Sequence, residues 1–519
     1  MDLCRTSAVE LARLLRTRSL SATELLTAIL TRIDAVNPSL NAIVTLAAEQ
    51  AEASAAALDE MAAHGSFAGP LHGLPIAIKD LAETDGIRTT YGSPIFATHV
   101  PDFDAPHVVR LKRAGAVVIG KTNAPEFGAG SQTFNPVFGV TRNPWDPRLT
   151  PGGSSGGAAA AVASGMLPFA DGSDLAASVR NPASFCGLVG LRPTPGLVPS
   201  DVLDPLAVVG PIARDAADAA LLLAGMCGED PGMPLARPDR AGDFLDLRAT
   251  SLRGLRVAWT PDLGDLPVEP AVLDVLASMR GSLESAGCVV VADAPALSST
   301  DEVFQVLRAA MMAGLAPLLR AHRAEFKETL AWNIEKGIAL TGEVIAAART
   351  AQAAIFERMR AFLAGGYEVL ALPTVQVVPF PVEQEWVAEI DGQPMETYID
   401  WMRSCSRITV TLHPAVSVPA GFTSAGLPVG LQLVGRYGAD KRLLEIAAAV
   451  GALVPPRLPR RYGPADLPDE EFRWHFDVGE RAQRPLHQRV DRFPHQPGAD
   501  GGRPAVESDE LHRRRRVVG

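Results

Sequence analysis

The segment from Pro151 to Pro182, PGGSSGGAAAAVASGMLPFADGSDLAASVRNP, constrains this chain more than any other stretch. A glycine-rich loop runs into an alanine-rich helix, and a second loop of small residues then carries Ser178. Small side chains let backbones approach one another, and a substrate, closely. Ser154 and Ser178 each sit in such a loop, and Asp174 and Arg180 flank the second. Gly, Ser and Ala are ordinary turn material, so either loop alone would mean little. Two serine loops with charged flanks are much harder to assemble by chance, and they mark a candidate site.

Around this segment the chain reads as α/β. Residues 7–62 predict helices, with Leu11, Leu14 and Leu15, then Leu25, Leu26 and Ile29, at helical spacing. Ser21 and Glu24 have the form of a capping box. Short β-branched runs follow at Ile76–Ile78, Ala116–Ile119, Leu255–Ala258, Val289–Val291, Val369–Leu372, Ala415–Val418 and Val429–Val434. They alternate with Ala/Leu-rich helical segments, which implies a sheet covered by helices on both faces. Aromatics are only 6% of the chain, so the core must be built mainly from Ala, Val and Leu. Residues 299–365 turn helical again and read as an insertion on the α/β body. Asp440–Val454 predicts a closing helix. One domain is expected over residues 1–476, with residues 477–519 an Arg/Pro/Gly-rich disordered tail.

Several function classes are disfavoured at this level. A net charge of −11 argues against nucleic-acid and anionic-membrane partners, because phosphates need a basic field. The RRRR run at 513–516 reads as a solvated charge run balanced by nearby acids. Cys4, Cys186, Cys227, Cys288 and Cys405 are odd in number and form no CxxC pair, which argues against a disulfide framework or a zinc site. No signal-type stretch opens the chain, and no run approaches the ~20 apolar residues of a membrane span. The expectation is a soluble, cytoplasmic protein.

Two motif matches fail on context. Gly115–Thr122 fits the phosphate-loop pattern GxxxxGK[ST], but its inner residues, AVVI, favour a strand, and no strand precedes Gly115. Gly152–Gly156 fits the nucleophile-elbow pattern GxSxG, but a proline-broken loop, not a strand, leads into Ser154. His322 and His413 lie downstream as the histidines such an elbow would need. His413 precedes a proline and a strand-like run, so it is expected in the core.

The motifs taken together resemble the amidase signature family. The likeness covers Gly152–Ala183 almost position by position. It extends to GLPIAIKD (73–80), GKTNAPEFG (120–128), NPVFG (135–139), FCGLVGLRPTPGLV (185–198), VGPIAR (209–214), PAVSVPAG (414–421) and GLPVGLQLVG (426–435). It implies a mixed, mostly parallel β-sheet flanked by α-helices. It also implies a Ser–Ser–Lys relay: Ser178 as nucleophile, Ser154 as second serine after a cis peptide bond, and Lys79 as base. Its oxyanion hole would be the backbone N–H groups of Leu175, Ala176, Ala177 and Ser178. No metal or organic cofactor is implied.

Physical chemistry fits that assignment. A serine hydroxyl is a weak nucleophile until a neighbouring base takes its proton. A lysine is such a base only when neutral, so its pKa of ~10.4 must fall, and Ile76, Ala77 and Ile78 before Lys79 suit burial. The chain departs from the family in having Ala176-Ala177 where Gly-Gly is commonest; if either position requires the positive φ that glycine adopts freely, alanine there leaves the hole altered or strained. Asp174, Arg180 and Ser155 are expected to brace loops. By the family's layout, Phe127, Gly128, Ala129, Gly130 and Ser131 wall the acyl pocket, and Trp332, with Met311 and Met312, covers its mouth. The small residues at 128–130 predict a roomy pocket for bulky apolar or aryl amides, with esters and carbamates as further substrates. A small-molecule amide is the expected partner, acted on by a monomer or homodimer. Two alternatives share the motifs. One is the subunit of a glutamine-dependent aminoacyl-tRNA amidotransferase that takes ammonia from glutamine, and the other is a non-catalytic binding protein on the same fold.

Overall fold

The structure is a computed structural model that describes residues 2–239, 241–455 and 457–459. The expected tail from residue 477 lies outside the described residues. The N-terminal helices Ala8–Arg16 and Ala22–Leu40 begin at Ser7 and Ser21, and Ser21 with Glu24 closes the capping box. The helical reading of residues 7–62 is interrupted once, by strand β1 (Ile43–Leu46), before helix Ala48–Ala63. Four residues of apolar and β-branched sequence are too few to announce a strand between two helices.

All seven runs read as strands form strands. In chain order, β2 is Pro75–Lys79 and β3 Val117–Thr122, followed by β4 (Phe169–Asp174), β5 (Val189–Arg192) and β6 (Val208–Ala213). The main sheet is completed by β7 (Arg256–Trp259), β8 (Val289–Ala292), β9 (Val369–Pro373), β10 (Ala415–Phe422) and β11 (Pro428–Val434), and four two-residue strands pair separately, Phe134–Asn135 with Gly139–Val140 and Glu389–Ile390 with Gln393–Pro394. The three strands of the main sheet that sequence reading missed, β4 to β6, mix Gly, Asp, Ser, Pro and Arg into almost wholly buried strands, so no alternation betrays them.

The main sheet has eight strands in the order β8-β7-β9-β11-β10-β5-β6-β4. It is mixed, but the expectation of mostly parallel pairing is not met: only β7 pairs in parallel, with β8 and β9, and the other neighbours are antiparallel. Connections explain the pattern. Helix Pro270–Ser285 crosses over between β7 and β8, whereas β10 and β11 are joined by the tight turn after Phe422, which can only make an antiparallel pair.

Alternation along the strands feeds two cores. In β9, Val369 and Ala371 join one cluster with the closing helix Asp440–Gly451, while Leu370 and Leu372 join another with the insertion. The insertion consists of helices Thr300–Met312, Ala316–His322, Glu328–Ile338 and Gly342–Ala364, as the sequence predicts. Contrary to the sequence reading, Thr300–Glu325 is long and apolar enough by length and composition to cross a membrane. It buries Val303, Phe304 and Leu307 in the second core, which is how a core helix passes the same test.

A smaller sheet, in the order β1-β3-β2, carries the first site residue. Gly120 in β3 shows what the GK[ST] match is for. A Cβ there would lie 1.9 Å from the Thr45 carbonyl oxygen, so the glycine lets β1 pair with β3. The segment is a buried strand, not a phosphate loop.

Candidate active site

Lys79 ends β2, one residue past Ile78, which lies opposite Lys121 in the parallel pair with β3. Its side chain is 1 % exposed, and Nζ reaches three hydroxyls: Ser154 Oγ at 2.7 Å, Ser155 Oγ at 2.8 Å and Ser173 Oγ at 3.0 Å. Among the described residues no carboxylate forms an ion pair with it. Burial therefore pulls its pKa down from the ordinary lysine range to about 7, against the opposing pull of Asp171 and Asp174. With three hydroxyls and the Ser173 carbonyl at 3.4 Å around it, the amine has hydrogen-bond partners in its neutral form and no carboxylate in direct contact among the described residues.

Ser154 lies in the loop before helix Gly156–Ala163, and its peptide bond with Gly153 is cis. It is buried, whereas Ser178 is half-buried. The two serine loops are tied together where the Ser155 N–H donates to the Ser178 carbonyl at 3.1 Å. Sequence reading cast Ser155 only as a brace and passed over Ser173. Both stand on Lys79, and nothing short of the fold distinguishes them from neighbouring turn serines.

Between β4 and Ser178 the backbone is held by its carbonyls. Ala176 O accepts from Arg180 Nη2 at 2.8 Å and from Thr409 Oγ1 at 3.2 Å, and Ala177 O accepts from the Asn181 N–H at 2.7 Å. The N–H groups of Leu175, Ala176, Ala177 and Ser178 find no acceptor among the described residues. Neither Ala176 nor Ala177 has positive φ, so the alanines stand there without backbone strain. Arg180, fully buried, also grips Asp174 through Nε at 3.0 Å and Nη2 at 2.9 Å. Burial opposes ionisation of Asp174, but Arg180 and Arg192 outweigh it and hold the carboxyl down at about 2.

The segment after Asn123 borders this cluster. A Cβ on Gly128 would lie 3.8 Å from Ser154 Oγ and 2.9 Å from Leu81 Cδ1. Phe127, at φ 48°, is sandwiched between Tyr91 and Phe326, with centroids 6.0 and 5.8 Å away and near-parallel rings. Ala129 is buried in a cluster with Met312, Leu319, Phe326 and Leu330, so the insertion fills space that a small residue would otherwise leave. Gly130 packs against Pro125. The Ser131 hydroxyl accepts from Trp401 Nε1 at 3.0 Å, which commits it to support. Trp332 is half-buried beside the second core, under the Arg308 guanidinium, and Leu175 touches both apolar clusters.

The histidines stand apart. His413 is buried, its Nδ1 2.7 Å from the Thr411 carbonyl, and burial pushes its pKa down to about 4. His322 pairs with Glu325 on the surface of the insertion. Neither hydrogen-bonds a serine of the cluster. All five cysteines are free thiols, four of them buried.

Comparison with known proteins adds three findings. A family model described as Amidase matches residues 24–444. Among curated relatives, an acylamidase of Rhodococcus erythropolis is 37% identical, covering 86% of this chain and 95% of its own. A glutamyl-tRNA(Gln) amidotransferase subunit of Moorella thermoacetica is also 37% identical, over 86% of this chain and 96% of its own. Among solved structures, a bacterial aryl acylamidase of the amidase signature family superposes with a TM-score of 0.81 at 27% identity, covering 86% of this chain and 96% of its own.

Proposed function

This chain belongs to the amidase signature family and is a hydrolase of amide C–N bonds, and from that premise we propose that it acts through Ser178, Ser154 and Lys79 on bulky apolar or aryl amides. Neutral Lys79 draws the proton of Ser154, and Ser154 draws that of Ser178. Ser178 Oγ then bonds to the substrate carbonyl carbon, and the oxyanion accepts hydrogen bonds from the free N–H groups of residues 175–178. As the tetrahedral adduct collapses, the C–N bond breaks and Ser154 returns the proton to the departing amine. Water, deprotonated by the same relay, releases the acid from the acyl-enzyme. Esters and carbamates present the same carbonyl and follow the same route.

The observation that carries this reading is Lys79 Nζ, buried among three hydroxyls without an ion-pair partner among the described residues. The substrate class rests on the apolar surroundings, Phe127, Leu175 and Met311, and on the likeness to acylamidases. The test is a purified single chain assayed on acetamide, an anilide and an aryl carbamate, with Ser178→Ala alongside. Turnover of the anilide well above acetamide, and an acyl adduct that mass spectrometry maps to Ser178 and loses in the variant, is the expected result. An adduct on Ser154 would sink the nucleophile assignment.

A second reading, as one member of an amidotransferase complex, is favoured by the equal identity to the Moorella protein. It predicts that the single chain leaves anilides untouched and releases ammonia from glutamine only with partner chains.

A further inference from the structure

Behind Lys79 lies a buried pair that the relay does not use. Asp171, in β4, is 2 % exposed; its Oδ1 accepts the Lys79 backbone N–H at 3.0 Å, and its Oδ2 lies 3.3 Å from His107 Nε2. His107 comes from helix Pro106–Arg113 and is itself buried. Enclosed carboxylates are retained only where charge or hydrogen bonds compensate their lost hydration.

The other charged groups near Lys79 are already matched. Asp174 is gripped by Arg180 and Arg192. Asp80, next in the chain, accepts from the Thr90 hydroxyl and N–H. Lys121, on the adjoining strand, donates to the Ala82 carbonyl and to Thr84 Oγ1 at 2.9 Å. Of the two carboxylates whose charge acts on Lys79, Asp171 alone lacks an arginine or lysine partner among the described residues, and His107 stands in that place.

We propose that Asp171 and His107 are positioning residues that set the proton affinity of Lys79, the carboxylate favouring its cation and the imidazole offsetting the carboxylate. Asp171 also fixes the end of β2 through the Lys79 N–H, so the same group orients the lysine and acts on its charge. This rests on reading Lys79 as the base. Lys79 must be neutral to draw a proton and cationic a moment later. A single carboxylate at full strength would hold it cationic, and no carboxylate would leave the cation unsupported. A hydrogen-bonded imidazole at the far oxygen moderates the field between those extremes.

The two partners act in opposite senses, which gives the test its edge. Asp171→Asn removes negative charge, so Lys79 loses its proton at lower pH. His107→Leu leaves the carboxylate uncompensated, so Lys79 keeps its proton to higher pH. The experiment records kcat/KM against pH for wild type and both variants. It also records NMR titrations of protein labelled at the lysine ε-carbons, of which there are only six: Lys79, Lys112, Lys121, Lys327, Lys336 and Lys441. The expected result is displacement of the Lys79 titration, and of the rising limb of activity, by on the order of one pH unit in opposite directions. Should His107→Leu fail to fold, His107→Gln keeps a donor and is expected to shift the same way by less. Shifts in one direction for both partners, or loss of rate with an unmoved Lys79 titration, would overturn the proposal. A moved Lys79 resonance without a moved activity limb would uphold the pair and instead refute Lys79 as the base.

Discussion

The floor of the site and its wall are built by different means. The floor, where Lys79 meets Ser154, Ser155 and Ser173, is one lysine hydrogen-bonded to three serine hydroxyls, carried by strand ends and tight loops close to the sheets. The wall, from Glu126 to Ser131, is held by apolar stacking and by a segment roughly two hundred residues away in sequence. Phe326 stacks on Phe127, the Lys327 N–H donates to Glu126 Oε2 at 2.9 Å, and Lys327 Nζ donates to the Ala129 carbonyl at 2.8 Å. Hydrogen bonds fix atoms to within tenths of an ångström, as proton transfer needs. Stacked rings fix surfaces and tolerate adjustment, as accommodating an acyl group needs. Disturbing the floor should therefore act on kcat, and disturbing the wall on KM.

The largest effect is expected on the floor. Lys79→Met should lower kcat on the order of 10²–10⁴-fold, the usual worth of a positioned proton transfer. It should also stabilise the fold, because a buried lysine with a pKa lowered to about 7 costs stability. The sign follows from linkage. Below about pH 7 both folded and unfolded lysine are charged, and the folded state carries the full burial cost. From there to ~10.4 the unfolded chain binds more protons, so wild-type stability recovers as pH rises. Melting temperatures at pH 6 and pH 9 should show the variant ahead, and further ahead at pH 6. A variant less stable than wild type at pH 6 would break the picture of a floor whose buried lysine costs stability.

Gly128 sits where floor and wall meet, and it sharpens the comparison. Its φ is +72°, and an added Cβ would press on Leu81 and stand 3.8 Å from Ser154 Oγ. Gly128→Ala should raise KM for bulky amides about tenfold or more, with backbone strain of ~1–2 kcal/mol. A fall in kcat with KM unchanged would assign this position to the floor instead. Phe326→Ala comes next. It removes one ring of the Tyr91–Phe127–Phe326 stack, and a few-fold rise in KM for an anilide, with kcat held, is expected. Equal losses on acetamide and anilide would mean that the stack serves stability alone.

The same contrast explains what could be read from the sequence. Two members of the floor were named by motifs of the resemblance, Lys79 at the end of an apolar strand and Ser154 among glycines, whereas Ser155 and Ser173 look like any other turn serine. The strands bearing Ile76, Val369 or Leu431 were legible from their own apolar runs. Strands β4 to β6 were not, since burial on both faces erases alternation and Asp171, Ser173, Asp174 and Arg192 disguise them as loop. The wall was half legible. Its residues could be named, but the small side chain of Ala129 suggested open space, and only the docked insertion reveals that Met312, Leu319 and Phe326 take it up. The Asp171–His107 contact spans 64 residues and belongs to no motif.

The smallest effect is expected at Ala176, where the sequence raised the concern that a residue other than glycine would strain the oxyanion loop. Its φ is not positive, its carbonyl is held by Arg180 and Thr409, and its N–H stays free. Ala176→Gly therefore relieves no strain. Its costs are one methyl at the edge of the second core and the extra backbone entropy of glycine in the unfolded chain, together ~1–2 kcal/mol of stability. Turnover should stay within about threefold of wild type, because the N–H donors are positioned by the carbonyl anchors rather than by the methyl. A gain of tenfold or more in kcat would show that the alanine does distort the hole, and would move this loop from the rigid floor to the adjustable wall. A modest loss of melting temperature with kcat intact would leave it on the floor, fixed through Arg180 and Asp174.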